Sequence, residues 1–271
     1  MRLAWLASLL CIPLGCGGDS STFDGGADSP FGNPDSGNGD GNNSFGDGSS
    51  NDGASGDGNC GPNLTGVIRD FSISGSTHHP DFENVIADDK GIVAPLLGSD
   101  FKPVYANTSG TTVTTTGKAN FDQWYRDVSG VNFSSQFQVT MVQGQNGIST
   151  FDNQAFFPID GQGWGNEGQP HNFGFTFELH TTFIYTGGET FTFTGDDDLW
   201  TFINGHLAID LGGVHGAETL SVDLDTNATA FGIVKGQQYP LDIFTAERHT
   251  TQSDVRIDTN IAFTNCNPII H

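Results

Sequence analysis

Gly195-Asp196-Asp197-Asp198-Leu199-Trp200-Thr201-Phe202-Ile203-Asn204-Gly205-His206-Leu207-Ala208-Ile209-Asp210 sets three consecutive acids before an apolar run, a two-residue turn signal and a second apolar run. Asn-Gly accepts the positive φ values of a tight hairpin turn, so the stretch reads as two antiparallel strands. Residues 199–203 are apolar on both parities, as in a strand held between two layers, which puts Trp200 in the core. Adjacent carboxylates repel and cost stability unless positive charge neutralises them. A hard cation at a loop edge is the simplest candidate, and the reading is a β-rich binding module.

Working outward, alternation recurs and helical periodicity is scarce. Phe173, Phe175, Phe177, Leu179, Phe183 and Tyr185 share one parity while Thr176, Glu178, His180 and Thr182 take the other, predicting a long, half-buried strand. Leu220, Val222 and Leu224 repeat the pattern, as do Tyr239, Leu241 and Ile243, and then Val255, Ile257, Ile261 and Phe263. Short helices are expected only at 120–127 and 226–231. Many strands joined by Gly-rich turns predict an all-β, antiparallel sandwich or jelly roll with few short helices. The 22 Phe residues suit the space between two sheets. The last two strands are expected to form a hairpin with Arg248 opposite Asp254 and Ala246 opposite Arg256. Glu247 then takes the core-facing parity, where an acid needs a partner. Arg248 either closes that hairpin by a salt bridge or contacts a ligand.

The ends divide the chain. Residues 1–16 carry one early charge, Arg2, an apolar stretch and Gly15-Cys16-Gly17, the pattern of an export signal ending at a lipidated cysteine. Cys16 is the expected lipid attachment point, giving an exported protein of the cell envelope or surface, with an outer-membrane anchor. Residues 17–59 are almost entirely Gly, Ser, Asn and Asp, with eight Asp and no Lys or Arg. Such a segment buries too little apolar surface to offset its ordering entropy and reads as a disordered linker. The domain is 60–266, bracketed by Cys60 and Cys266, whose natural role in an exported protein is one disulfide joining its ends.

Of 32 acids, 24 fall in the domain 60–266, against eight Lys and Arg. That balance excludes nucleic-acid binding and docking on anionic lipid, leaving the membrane to the lipid anchor alone. No Gly-x-Ser-x-Gly elbow, phosphate loop or dinucleotide fingerprint is present. His215, His249 and Glu247, with His206 or Asp210 nearby, match no close metal-ligand spacing, and hydrogen bonding within turns is their simpler role. A polysaccharide hydrolase, the third reading, would need two carboxylates facing each other across a cleft.

Several motifs in order resemble the fibro-slime domain: 171–173, then Phe191-Thr192-Phe193-Thr194-Gly195-Asp196-Asp197-Asp198-Leu199-Trp200, Asp210-Leu211-Gly212-Gly213-Val214-His215, and Phe244-Thr245-Ala246-Glu247-Arg248-His249. His79-Pro80-Asp81-Phe82-Glu83-Asn84, Phe121-Asp122-Gln123-Trp124-Tyr125-Arg126-Asp127 and 156–161 fit its extended form, so the resemblance runs over about 64–263. That domain in turn resembles the protective-antigen (PA-fourteen) β-sandwich of toxins, glycosidases and adhesins. The resemblance implies a non-catalytic adhesion module that binds an extracellular glycan through calcium. Its adjacent-Asp pair falls on Asp196 and Asp197, and a third metal ligand on Asp254 or the loop 249–253. Asp198, His249 and Arg248 are then candidate ligand contacts, and Trp164, in the Gly-rich loop 161–168, a stacking platform. The alternative is a structural matrix or cell-surface interaction domain without a sugar site.

Overall fold

The computed structural model describes residues 61–267. The expected export signal, Cys16, the linker and Cys60 lie outside them. In chain order the strands are β1 (Asn63–Phe71), β2 (Ala87–Asp88), β3 (Asn132–Thr140), β4 (Val142–Gln143), β5 (Ser149–Asn153), β6 (Phe175–Ile184) and β7 (Thr190–Gly195). There follow β8 (Asp198–Ile203), β9 (His206–Leu211), β10 (Gly213–Val214), β11 (Glu218–Asp223), β12 (Gln238–Glu247), β13 (Val255–Thr259) and β14 (Phe263–Asn265). The helices are α1 (Lys118–Phe121) and α2 (Leu224–Phe231). α2 sits where expected; α1 begins two residues early and gives way to turns before 127.

Two antiparallel sheets form the sandwich. The large one runs β3-β1-β6-β12-β8-β9, with β14 also on β6, and the small one runs β11-β7-β13-β5-β4. Asn204 (φ 50°) and Gly205 (φ 73°) make the β8–β9 turn as the sequence predicts. Between the sheets lies the main core, where Phe175, Phe177, Leu179 and Phe183 of β6 meet Phe191 and Phe193 of β7 and Ile257 of β13.

The expected terminal hairpin does not form. β12 pairs with β6 and β8 in the large sheet, whereas β13 pairs with β5 and β7 in the small one. Both edges of β12 are already taken, so 248–254 crosses between layers instead of turning back. Arg248 and Asp254 are the two ends of that crossing, not a cross-strand pair.

The second face of the large sheet is also covered. Residues 72–131, a strap with little regular structure beyond β2 and α1, pack a second aromatic cluster against it. Phe82, Tyr105, Phe121, Trp124 and Tyr125 of the strap meet Trp200 and Phe202 of β8 and Phe244 of β12. This explains why β6 is not half-buried: Thr176, Glu178 and His180 are 0 %, 3 % and 4 % exposed.

Charges on that covered face are paired. Glu178 accepts from Arg69 at 2.7 Å and from strap residue Lys102 at 2.6 Å, and His180 Nδ1 lies 2.7 Å from Asp242. Burial alone would raise the Glu178 carboxyl, but His180, Arg69 and Lys102 outweigh it and hold it down at about 2. A carboxyl depressed on folding adds stability above its unfolded value, and that stability is lost as pH falls towards about 2. Glu178→Gln leaves two buried cations with one carboxylate fewer. It is expected to cost about 3–5 kcal/mol at neutral pH. The urea midpoint with an unchanged m-value checks this; a loss below about 1 kcal/mol contradicts the network's role.

Candidate functional site

Two crossings run side by side at one end of the sandwich. Gly195 to Asp198 carries the chain from β7 in the small sheet to β8 in the large one, and 248–254 carries it back from β12 to β13. The three acids stitch them together. Asp196 Oδ1 accepts the Asp254 backbone N–H at 2.6 Å, and Asp197 Oδ2 accepts that of Arg248 at 2.7 Å. Gly195 is required here, because a Cβ would come within 2.9 Å of Asp254 O.

The acids meet different fates. Asp198 is 0 % exposed; its Oδ2 accepts Arg248 Nε at 2.5 Å and its Oδ1 the Gly213 N–H at 2.8 Å. Arg248, equally buried, also donates to Asp81 O, Thr114 O and Thr114 Oγ1, and its guanidinium lies 4.7 Å from the Trp124 ring centre. Asp198 and Arg248 are thus bonded inside the protein, with no surface left for a ligand, which corrects the expectation that they contact one. Asp197, just before β8, adopts the left-handed region (φ 49°). Asp196 stays half-buried.

Beside these acids is a hollow of about 130 Å³ lined by Asp196, Asp197, His215, His249, Thr250 and Gln252, with Ile86 and Val214 among its other walls. The pair Asp196-Asp197 and the loop 249–252 therefore do come together. Asp254 does not join them. Its backbone holds Asp196, but its side chain lines a neighbouring hollow with Asp152 and Arg256. Trp164 is elsewhere again: its ring packs on Phe133 at 5.1 Å, its backbone N–H donates to Asp70 and its indole N–H to Val131 O. Asp70 shares the register level of Glu247 through Phe175, three strand spacings from β8. That is about 14 Å, too far for one sugar ring to touch both Trp164 and the acids.

A residue that the sequence left without a role braces the loop at the hollow's rim. Glu83 of the strap (φ 47°) accepts the Thr250 N–H at 2.6 Å and lies 3.6 Å from His249 Nε2. His206 and Asp210 turn elsewhere, His206 to Asn204 O and Asp210 to Trp200 Nε1 and Gly91 N. Among the described residues no three His, Cys, Asp or Glu side chains are grouped to hold a metal ion. Any ion here takes the remaining oxygens from backbone carbonyls and water.

Burial raises all four carboxyls at the crossing, Asp198 included, where it outweighs the Arg248 guanidinium and the Gly213 N–H. Asp196 is pushed up to about 6 by burial, against the Asp254 N–H. Asp197 rises to about 7 by burial, opposed by Arg248 and reinforced by Asp198 and Asp196. Glu247, beneath them, is raised well above the usual range by burial and then by Asp197 and Asp196. Its Oε1 has no hydrogen-bond partner. An acid whose value is raised on folding binds more protons folded than unfolded, so stability falls as pH rises from about 4 through 7. Without added metal, Asp197→Asn is expected to raise the melting temperature at pH 8 by a few degrees, on the order of 1 kcal/mol, and to flatten its fall between pH 5 and 8. Thermal melts in chelator check it, and an equal or lower melting point at pH 8 contradicts it.

Comparison with known proteins gives this arrangement a context. Residues 127–269 match the PA14 domain model. The chain is 40 % identical over 190 residues to protein psiQ of Dictyostelium discoideum, covering 65 % of this chain and 19 % of that protein. It is 38 % identical over 204 residues to psiR of the same organism, covering 69 % and 20 %. The match thus spans only about a fifth of these relatives. Among solved structures, a PA14 sugar-binding domain from an RTX adhesin aligns with 43 % of this chain and 73 % of its own at 13 % identity, with a TM-score of 0.26. The family match covers more than half of the chain and takes in both crossings and the acids between them, and on that ground the chain belongs to the PA14 domain family.

Proposed function

We propose that this chain is a surface-anchored, non-catalytic binding module of the fibro-slime branch, taking an extracellular glycan through a calcium ion at Asp196 and Asp197. The observation that carries the reading is the concentration of underneutralised carboxyls at one open hollow. Asp196 and Asp197 line it and are raised by burial, Glu247 is raised in the protein beneath them, and the guanidinium beside them is committed to Asp198. A hard cation answers that imbalance, and calcium accepts carboxylate, carbonyl and water oxygens in a flexible shell of six to eight. When bound, the ion supplies coordination sites for vicinal hydroxyls. Thr250, Thr251 and Gln252 then offer hydrogen bonds at the rim.

The hollow accommodates the edge of one sugar ring, not a buried oligosaccharide, which favours terminal sugars. The ordered motifs of the sequence support the fibro-slime assignment. The lipid at Cys16, the acidic linker and a Cys60–Cys266 disulfide complete the proposal. In its support, Cys266 Sγ lies 3.7 Å from Gly61 O, next to Cys60 in the chain.

Calcium at a hundredfold over its Kd is expected to stabilise the full chain by about 2.7 kcal/mol, a shift of several degrees, and Asp196→Ala to remove that shift. Unchanged melting of the wild type in millimolar calcium contradicts the metal site. For the anchor, an alkynyl fatty acid is expected to label the wild type and Cys11→Ser, but not Cys16→Ser. Equal labelling of the Cys16→Ser variant overturns that assignment.

A further inference from the structure

The strand orders of the two sheets end at β3, β9, β11 and β4. A free edge invites a further strand unless something blunts it. β9 is covered by the strap, through Leu207 N–H to Pro95 O and the bridge between Leu96 and His206, and its pairing with β8 shifts register between Thr201 and Phe202. β11 carries Glu218 and Asp223, and β4 has only two residues. β3 has none of these devices. Its nine residues, Asn-Phe-Ser-Ser-Gln-Phe-Gln-Val-Thr, include no charge and no proline, and they pair with β1 in unbroken register.

Two bonds fix which backbone groups of β3 are free. Phe71 N–H donates to Gly174 O, so the odd residues of β1 bond towards β6 and the even ones towards β3. Met141 N–H donates to Pro62 O at 2.7 Å, the same alternation one step beyond the strand. Phe133, Ser135, Phe137 and Val139 therefore bond to β1, and the N–H and C=O groups of Ser134, Gln136, Gln138 and Thr140 face outward. All four residues are exposed, and none has a second backbone partner among the described residues. Apolar side chains flank this edge: Phe137 is half-buried at the margin of the core, Phe133 is 52 % exposed, and Val142, just past the strand, is 68 % exposed.

We propose that β3 is a homodimer interface, pairing antiparallel with β3 of a second copy about a two-fold axis at Phe137 and joining the two large sheets into one. In that register Ser134 lies opposite Thr140 of the second copy and Gln136 opposite Gln138, so all four outward-facing residues are bonded in each copy. Phe137 meets its own counterpart in a non-hydrogen-bonded pair, where side chains come closest. The exposed Phe133 of each copy lies opposite Met141 of the other, next to Val142. Charge singles out a second copy as the occupant. The domain holds 24 acids against eight bases, so most faces of two copies repel, whereas two β3 strands meet without charge. A two-fold contact also needs a surface that complements itself, and a strand set antiparallel to its own copy meets that condition. β3 is four strand spacings from β8 in the large sheet, so the pairing is independent of what binds at the hollow.

Sedimentation velocity of the full chain carrying Cys16→Ser, which removes the expected lipid, tests it. With β3 unaltered, a monomer–dimer equilibrium with a micromolar Kd is expected. Gln136→Pro removes only an outward N–H, where an edge strand tolerates proline, and is expected to weaken the dimer more than about tenfold while the protein still folds. Should that variant fail to fold, Gln136→Lys with Gln138→Lys decides the matter. It sets lysine opposite lysine across the axis and is expected to leave only monomer. A monomer that persists at about 100 µM with β3 unaltered, or a dimer that the folded variants retain, overturns the pairing.

Discussion

The buried pair of Arg248 and Asp198 holds the sandwich and the strap in one arrangement. A buried ion pair is a weak source of net stability, because desolvation offsets most of the attraction. Its value here is positional. One guanidinium reaches Asp198 at the start of β8, two strap carbonyls and a strap hydroxyl, and stacks on Trp124. Only a planar fork with several fixed donors can do this, and a lysine at 248 would satisfy one or two of these acceptors. Asp198 closes the circuit through Gly213, whose strand pairs with the strap. Removing either partner leaves a charge buried between two layers.

What the sequence made legible was local. The Asn204-Gly205 turn, the strand parity of β6 and the burial of Trp200 all follow from residues a few positions apart. The large sheet's second face was not legible, because alternation reports which side chains share a face and not what covers it. Thr176, Glu178 and His180 look solvent-facing in sequence. Their partners Arg69, Lys102 and Asp242 come from three other segments. The same limit explains the missing hairpin. β12 and β13 alternate identically whether they pair or belong to different sheets, and only the occupied edges of β12 decide between the two.

The candidate site was legible in part for the same reason. Asp196 and Asp197 announce themselves by adjacency, and the loop 249–252 by its place after β12. Yet Asp198, expected from the resemblance as a ligand contact, is the most tightly bound of the three inside the protein. Strand alternation points it into the strap face with Trp200 and Phe202. Ile86, which lines the hollow, and Glu83, which holds its loop through Thr250, lie more than a hundred residues from the acids in sequence, and nothing local in the motif around them reveals either placement.

Three carboxyls remain at the crossing once Arg248 is given to Asp198, and burial separates what each can do about its charge. Glu247 is 4 % exposed beneath the others and has an oxygen without a partner, so a proton is its only available remedy. Asp196 is half-buried and lines the hollow, so an external cation can reach it. Asp197 lies between: it is bonded to the Arg248 N–H, raised by both neighbours, and still part of the wall. A cation at the hollow therefore acts first on Asp196 and Asp197, and in stabilising Asp197 as a carboxylate it reinforces the proton on Glu247. The four acids at the crossing therefore have different remedies: a guanidinium for Asp198, a proton for Glu247 and, under the proposed function, a cation for Asp196 and Asp197.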